Sequence, residues 1–508
     1  MSKKSLITGT LILTSANLIT RVIGFFYRVF MSNTIGTEGM GLYQLIMPIY
    51  MLAWSITSSG FTTTISKLTA QENAKKQYGN MGRVLKQSIF MCISLSIVIS
   101  IFLFQSADFI SSEILKETRT FLSLQILAIC FPFMSAGSCI RGYFFGLQNS
   151  VIPAISQILE QCVRIAIVFF LASIFIPLGL SYACAAAVIG IVAGEIISFA
   201  FVFFSYLKFK RKNGFMKKPS LSTRKTFLTI VSMAIPLSAS RVIGSLLSTT
   251  ENILIPQRLQ LFGQSGSDAM STYGKLTGMA MPLIQFPSAL LTAVSITLVP
   301  AISEASAVRN SKRIHNTVSQ SLLFTSIIGI GTAGIFAVFP KEISTVVYNQ
   351  SSLGPLLFRL AFVCPFLYLQ ITLSGLLNGL GEHLFIFQNN IISSIINILF
   401  IYFFMPIYGV DAFIVGWCFS LIVTSSQSLW KVTQSSTLKV DAVNWFIKPI
   451  LSILAAGLIV KYITRIVVPS RLIYILCILL MYTMYILALL LSGCLEKEDI
   501  LMFIKRKK

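Results

Sequence analysis

The chain reads as an all-α polytopic membrane protein, with about fourteen transmembrane helices in two parallel-repeat six-helix lobes followed by two C-terminal helices. Three observations point there. Hydrophobic residues fill 55% of the 508 positions and charged ones only 11%, far from the soluble average. Long apolar runs recur from about Leu6 to about Ser492, and roughly 20 residues of helix cross one hydrocarbon core. The string Arg21-Val22-Ile23-Gly24 returns as Arg241-Val242-Ile243-Gly244, so the two halves share a pattern.

Taken in order, the expected helices centre near Ile19, Ala53, Ser96, Phe133, Arg164 and Ala193 in the first half. The second half has centres near Arg241, Gln285, Ile328, Leu367, Ile396 and Phe419, with Ala455 and Ile478 closing the chain. Lys3 and Lys4 run directly into the first span without a small-residue cleavage site, which predicts an uncleaved helix. Further landmarks keep the same order in both halves. Met47-Pro48 matches Met281-Pro282, Cys130-Phe131-Pro132-Phe133 matches Cys364-Pro365-Phe366, and Ile176-Pro177 matches Met405-Pro406. An offset of six helices preserves the direction of each crossing, so the repeats are parallel, with a cleft expected between them. The expected divisions are an N-terminal lobe over 1–207, a basic linker over 208–225, a C-terminal lobe over 226–435, and two extra helices with a basic tail over 436–508.

The formal charge of +23 would suggest nucleic acid on a soluble domain; here it is sorted by loop. Alternate loops contain Lys75, Lys76, Arg83 and Lys86, then Lys208 to Lys225, then Arg309, Lys312 and Arg313, and finally Lys505 to Lys508. The opposite loops have few cations, mainly Lys116, Arg119, Arg258, Lys341 and Arg471. Positive residues are retained inside, so both termini are expected to be cytoplasmic in a multi-pass cell-membrane protein. No nucleic-acid partner is indicated. Nine cysteines form no pair or framework and read as small apolar core residues. His315 and His383 are far apart, so neither a metal site nor any cofactor is expected. Gly274-Lys275 is followed by Leu276, which breaks the phosphate-loop pattern and argues against ATP binding.

Function is most legible in charges that stand inside apolar spans. A guanidinium cannot lose its proton and costs roughly 2.5–3.5 kcal/mol at mid-membrane, so it needs an anionic or watery partner. Asn17, Arg21, Gly24 and Arg28 fall along one face of the first helix. Arg241, Ser245, Ser248 and Asn252 repeat that arithmetic in the seventh, with Glu251 alongside. The predicted anion site is therefore Arg21, Arg28 and Arg241, with Asn17, Ser245, Ser248, Asn252 and Lys275 as further cavity-lining candidates. The alternative is that each arginine snorkels to a headgroup or is held by a carboxylate. Glu160 and Arg164, four apart, can neutralise one another or, with Glu195, couple to an ion. No catalytic residue is expected.

The stretch Thr20-Arg21-Val22-Ile23-Gly24-Phe25-Phe26-Tyr27-Arg28, followed by Ile35-Gly36-Thr37-Glu38-Gly39-Met40-Gly41-Leu42-Tyr43-Gln44, resembles the stage V sporulation protein B-like polysaccharide exporters. The stretch from Phe286-Pro287-Ser288 to Ile302-Ser303 is similar to the eighth span of the lipid II flippases of the same multidrug/oligosaccharidyl-lipid/polysaccharide exporter superfamily. The resemblance implies a fourteen-helix, monomeric exporter that moves an undecaprenyl-diphosphate-linked saccharide, here a peptidoglycan precursor for spore cortex, to the outer leaflet by alternating access. It carries the cationic-cavity role to Arg21 and Arg28. Three departures stand out: Arg28 comes seven residues after Arg21 where those flippases have six, the second span lacks an arginine, and Pro282 occupies an arginine position, for which Lys275 is the candidate substitute. A cation-coupled multidrug exporter of the same fold is the main alternative. A membrane-embedded glycosyl polymerase or transferase fits less well, since the outer loops are short and poor in acids.

Overall fold

The computed structural model describes residues 3–213, 219–308, 310–436, 441–466 and 471–495, and every regular element among them is helical. Lys217, Lys218, Arg309 and the run 505–508, which contribute to the expected orientation, lie outside the described residues. Eleven helices are long and apolar enough to cross a membrane, and two bent pairs bring the number to thirteen. The first of the eleven, Ile12–Ala74, has 63 residues, about 95 Å of helix and some three hydrocarbon thicknesses. It is too long for one crossing. Its first helix, α1 (Lys3–Trp54), breaks at Gly36, where φ is 71° and ψ −174°, a conformation essentially confined to glycine. The chain is thus a multi-pass membrane protein with eleven to thirteen candidate spans among the described residues, and the break at Gly36 divides the longest of them into two helices, a first and a second pass.

The second pass continues through a π-helical stretch, Ser55–Ser59, into α2 (Gly60–Ala74). Then come α3 (Tyr78–Gln105), the bent pair α4 (Phe121–Ala128) and α5 (Cys130–Gly146), α6 (Val151–Phe175), α7 (Leu180–Asn213), α8 (Thr223–Leu261) and α9 (Gly266–Tyr273). Another π stretch, Gly274–Ala280, leads towards α10 (Ser288–Ala307) and α11 (Ser311–Val338). Further helices include the bent pair α12 (Gly354–Ala361) and α13 (Cys364–Leu380), α14 (His383–Leu399), α15 (Val410–Ser436), α16 (Lys448–Ile466) and α17 (Arg471–Leu491).

The recurrence in the sequence has local structural counterparts. The bends of 45° and 56° fall just before Cys130 and Cys364, where Pro132 and Pro365 near a helix start remove donors that an N-terminus leaves unpaired anyway. Helices α7 and α15 are each entered through a proline corner that ends in a glycine, Gly179 at φ 114° and Gly409 at φ 61°. The turns after the first and seventh spans use Gly36 and Gly263, at φ 71° and 101°.

By packing, the chain forms two compact units, the first ending at Gly278 and the second beginning at Met279. In the first, α8 runs antiparallel to the second pass and very close to it. A Cβ on Gly60 would meet the Ser238 hydroxyl and, at 2.6 Å, the Ala234 carbonyl. Helices α6 and α7 are brought together in the same way by Gly190 and Gly194, whose Cβ atoms would fall 3.0 Å from the Arg164 carbonyl and 2.9 Å from that of Glu160. Small residues four apart let backbones approach where no hydrophobic force drives helices together. Within the second unit, Gly375 and Gly379 do this for α13 against Ser295 and Ile302 of α10. Its buried tyrosines take up carbonyls: Tyr368 donates to Ile284 at 2.7 Å, near the break at Pro287, and Tyr485 to Ile327 at 3.0 Å. In hydrocarbon an unpaired carbonyl would cost several kcal/mol.

Gly60→Val is expected to destabilise the protein by about 1–3 kcal/mol through overpacking, seen as a lower Tm for the purified protein. Gly24→Ala, where a Cβ meets nothing within 4 Å, should leave Tm unchanged. Equal Tm values for the two variants would contradict the packing account.

Candidate functional site

On α1, Asn17, Arg21, Gly24 and Arg28 occupy one sector at 100° per residue. Ala16, Tyr27 and Met31 are buried along one edge of that sector, while Ile19, Val22 and Phe26 are exposed on a different side. Asn17 and Arg21 are exposed in the first unit and Arg28 is half-buried. The guanidinium groups therefore share a face with Asn17 and not with the outward apolar side chains. Within the same unit, α8 presents Arg241, Ser245, Ser248 and Asn252 along one line, and its exposed Ile243 and Leu246 point elsewhere.

Arg241 reaches across to the second pass, donating to the Ser59 carbonyl at 2.9 Å and the Thr63 hydroxyl at 3.4 Å. Gly60 makes that reach possible by letting α8 approach. Further along the same antiparallel pair, Thr249 donates to the Pro48 carbonyl at 3.3 Å. Between these anchor points lies a cavity of about 190 Å³ lined by Gln44, Met47, Pro48, Met51, Ser245, Ser248, Thr249 and Asn252. Pro48 has no amide proton, so the Gln44 carbonyl loses its usual helical partner. The Tyr273 hydroxyl, 2.9 Å from Asn252 Oδ1, lies 3.4 Å from that carbonyl. Lys275 is half-buried in the Gly274–Ala280 stretch and does not line the cavity. Asn17 is likewise on α1 and outside it.

A second polar group is buried at the α5–α6–α7 junction. Arg164 donates to Glu160 at 2.8 Å, and both side chains are largely buried. Glu195, brought over by Gly194, accepts from the Tyr50 hydroxyl at 2.7 Å, and its other oxygen lies 3.9 Å from Arg141. Arg141 also donates to Ser198 and Ser138, each at 3.1 Å. At one end of the unit Arg119 binds Glu38 at 2.7 Å and Glu117 at 2.6 Å. Two settings can be told apart among the arginines of this unit. Arg119, Arg141 and Arg164 each have a carboxylate, whereas among the described residues no carboxylate lies within ion-pair distance of Arg28 or Arg241.

A family model described as polysaccharide biosynthesis protein matches residues 6–306, more than half the chain. The chain belongs to the polysaccharide biosynthesis protein family. A second model, MatE, matches residues 259–403. The chain is 32% identical over 415 residues to stage V sporulation protein B of Bacillus subtilis (strain 168), covering 81% of this chain and 80% of that protein. It is 25% identical over 387 residues to the lipid II flippase MurJ of the same organism, covering 70% and 68%. Among solved structures, lipid II flippase MurJ in an inward closed conformation aligns with a TM-score of 0.68 at 16% identity, over 94% of this chain and 98% of that one. An inward-facing multidrug resistance transporter of the MATE family aligns with a TM-score of 0.64 at 14% identity, over 87% and 100%. Those structural likenesses, at such low identity, show that the fold is shared.

For this family member, sequence reasoning found the Glu160–Arg164 pair from its spacing but missed Arg141, Tyr50 and Gln44. Arg141 interrupts an apolar run as Arg164 does, so the same rule would have found it. Tyr50 and Gln44 gave no such signal, because both are ordinary in a span and become informative only once their neighbours are known. Arg164→Met is expected to destabilise the protein by about 3–5 kcal/mol by stranding Glu160, and the double variant Glu160→Gln/Arg164→Met to recover most of that loss. Tm values for the three proteins measure it; a double variant no more stable than the single one would contradict a pair that is neutralised in place.

Proposed function

We propose that the chain is a flippase that carries an undecaprenyl-diphosphate-linked saccharide, a peptidoglycan precursor for spore cortex, from the cytoplasmic to the outer leaflet of the cell membrane by alternating access. The observation that carries this reading is the sorting of arginines: Arg241 is steadied by a carbonyl and a hydroxyl, and neither it nor Arg28 has a carboxylate within ion-pair distance among the described residues. A diphosphate supplies the missing charge, and planar guanidinium groups suit its oxygens. Arg21, exposed on the same stripe as Arg28, is the third member of this site. The similarity to a lipid II flippase and to a sporulation protein supports the substrate class and the cortex role.

On this reading the molecule works as a monomer without ATP, with both termini cytoplasmic. Its functional lobes are the sequence repeats over 1–207 and 226–435, joined by 208–225, with 436–508 appended. Repeats describe the order of helices, and compact units describe packing, so the two divisions need not coincide. The lipid tail stays in the bilayer while the head group meets the arginines. A flippase gains direction only from a difference in affinity between its states. Glu160, Arg164 and Glu195 serve this scheme as a buried structural network. Their coupling to an ion belongs to the second reading, a cation-coupled multidrug exporter, which the MatE match over 259–403 favours.

Transport in proteoliposomes separates the two. Wild-type protein is expected to flip labelled lipid II and leave a cationic dye behind. Arg21→Ala and Arg241→Ala should each slow flipping by at least about tenfold, the scale of one lost charge-assisted hydrogen bond, with membrane insertion unimpaired. Transport of the dye alone would overturn the proposal.

A further inference from the structure

The cavity between the second pass and α8 has no part in binding a diphosphate, because none of its lining residues is charged. We propose that it is a neutral subsite for the sugar of the lipid-linked saccharide, recognising hydroxyl and acetamido groups; this rests on the flippase reading above. Four features support the assignment.

The first is position. Ser245, Ser248 and Asn252 come four, seven and eleven residues after Arg241 on the same helix face, about 6 to 16 Å along the axis. The first sugar of such a lipid is bonded directly to the diphosphate, so a ring attached to a phosphate at Arg241 falls within this interval. The second is size. A volume of 190 Å³ is roughly that of six waters at about 30 Å³ each, and below the roughly 300 Å³ at which pockets for drug-sized ligands begin. That size matches one ring or its substituent.

The third is chemistry. The Gln44 amide nitrogen is buried and has no acceptor among the described residues, so it is a donor for an acetamido carbonyl. Ser245 and Ser248 add hydroxyls from the facing helix. A buried donor left unmade costs about 1–3 kcal/mol, which a sugar ligand would recover and an acyl chain would not. The fourth is the opposite wall. Met47, Pro48 and Met51 offer an apolar surface to the C–H face of a pyranose. The cavity is also held in shape by hydrogen bonds of its own lining, from Thr249 to the Pro48 carbonyl and from Tyr273 to Asn252.

Binding of two lipids to the full-length protein in nanodiscs tests this: lipid II, and undecaprenyl diphosphate without sugar. Wild-type protein is expected to prefer lipid II. Gln44→Leu and Ser248→Val, the latter at an exposed position with little risk to folding, should each cut the affinity ratio of lipid II to undecaprenyl diphosphate about tenfold, as expected when one polar contact is lost. Arg241→Ala should weaken both lipids together. An unchanged ratio in both cavity variants, or equal wild-type affinity for the two lipids, would overturn the subsite while leaving the diphosphate reading intact. Failure of wild-type protein to bind either lipid would bring down the flippase reading and this inference with it.

Discussion

Arg241 meets the Ser59 carbonyl at 2.9 Å only because Gly60 lets α8 settle against the second pass, and that contact organises the polar part of the first unit. A guanidinium held away from bulk water must be given partners, and which partners it receives decides what it can still do. A carboxylate would neutralise it. A carbonyl and a hydroxyl orient it and leave its full positive charge available. The proline at position 48 extends the same logic along the groove, since the carbonyl it frees lies near Tyr273 and Pro48 itself lines the small cavity with Ser245 and Ser248.

The close helix approaches do comparable work elsewhere. Gly190 and Gly194 draw α7 onto α6, and this sets Glu195 where Tyr50 and Arg141 can reach it. Two carboxylates and two arginines are thereby buried together, a charge-balanced knot suited to a rigid scaffold. Against that scaffold Arg28 and Arg241 stand out, since among the described residues no carboxylate lies within ion-pair distance of either. In the proposed flippase this becomes a division of labour: paired charges fix the unit, and Arg21, Arg28 and Arg241 receive an anionic head group.

Much of the fold was legible because hydrocarbon imposes a simple rule. Apolar stretches of about 20 residues announce crossings, and the repeated landmarks from Arg21 to Met405-Pro406 predicted equivalents that the structure bears out as paired bends and glycine corners. Less was legible in the site. Helical arithmetic placed Ser245, Ser248 and Asn252 on one face, and they do line a cavity, but Gln44 and Met47 across from them depend on the register between two helices far apart in sequence. That register is set by Gly60 packing on Ala234 and Ser238, a contact with no periodic signature. Arg141 was overlooked although its setting matches that of Arg164. Asn17, chosen by the same arithmetic on α1, and Lys275, chosen as a stand-in for an arginine, are not among the residues that line this particular cavity.

The most direct test of the account is calorimetric titration of the full-length protein in nanodiscs with undecaprenyl diphosphate and with undecaprenol, which share a tail and differ in charge. The account predicts binding of the diphosphate that weakens as salt rises, little binding of the neutral alcohol, and loss of the difference when Arg21, Arg28 and Arg241 are together replaced by alanine. Equal affinity for the two lipids, or a charge preference that survives the triple replacement, would contradict it.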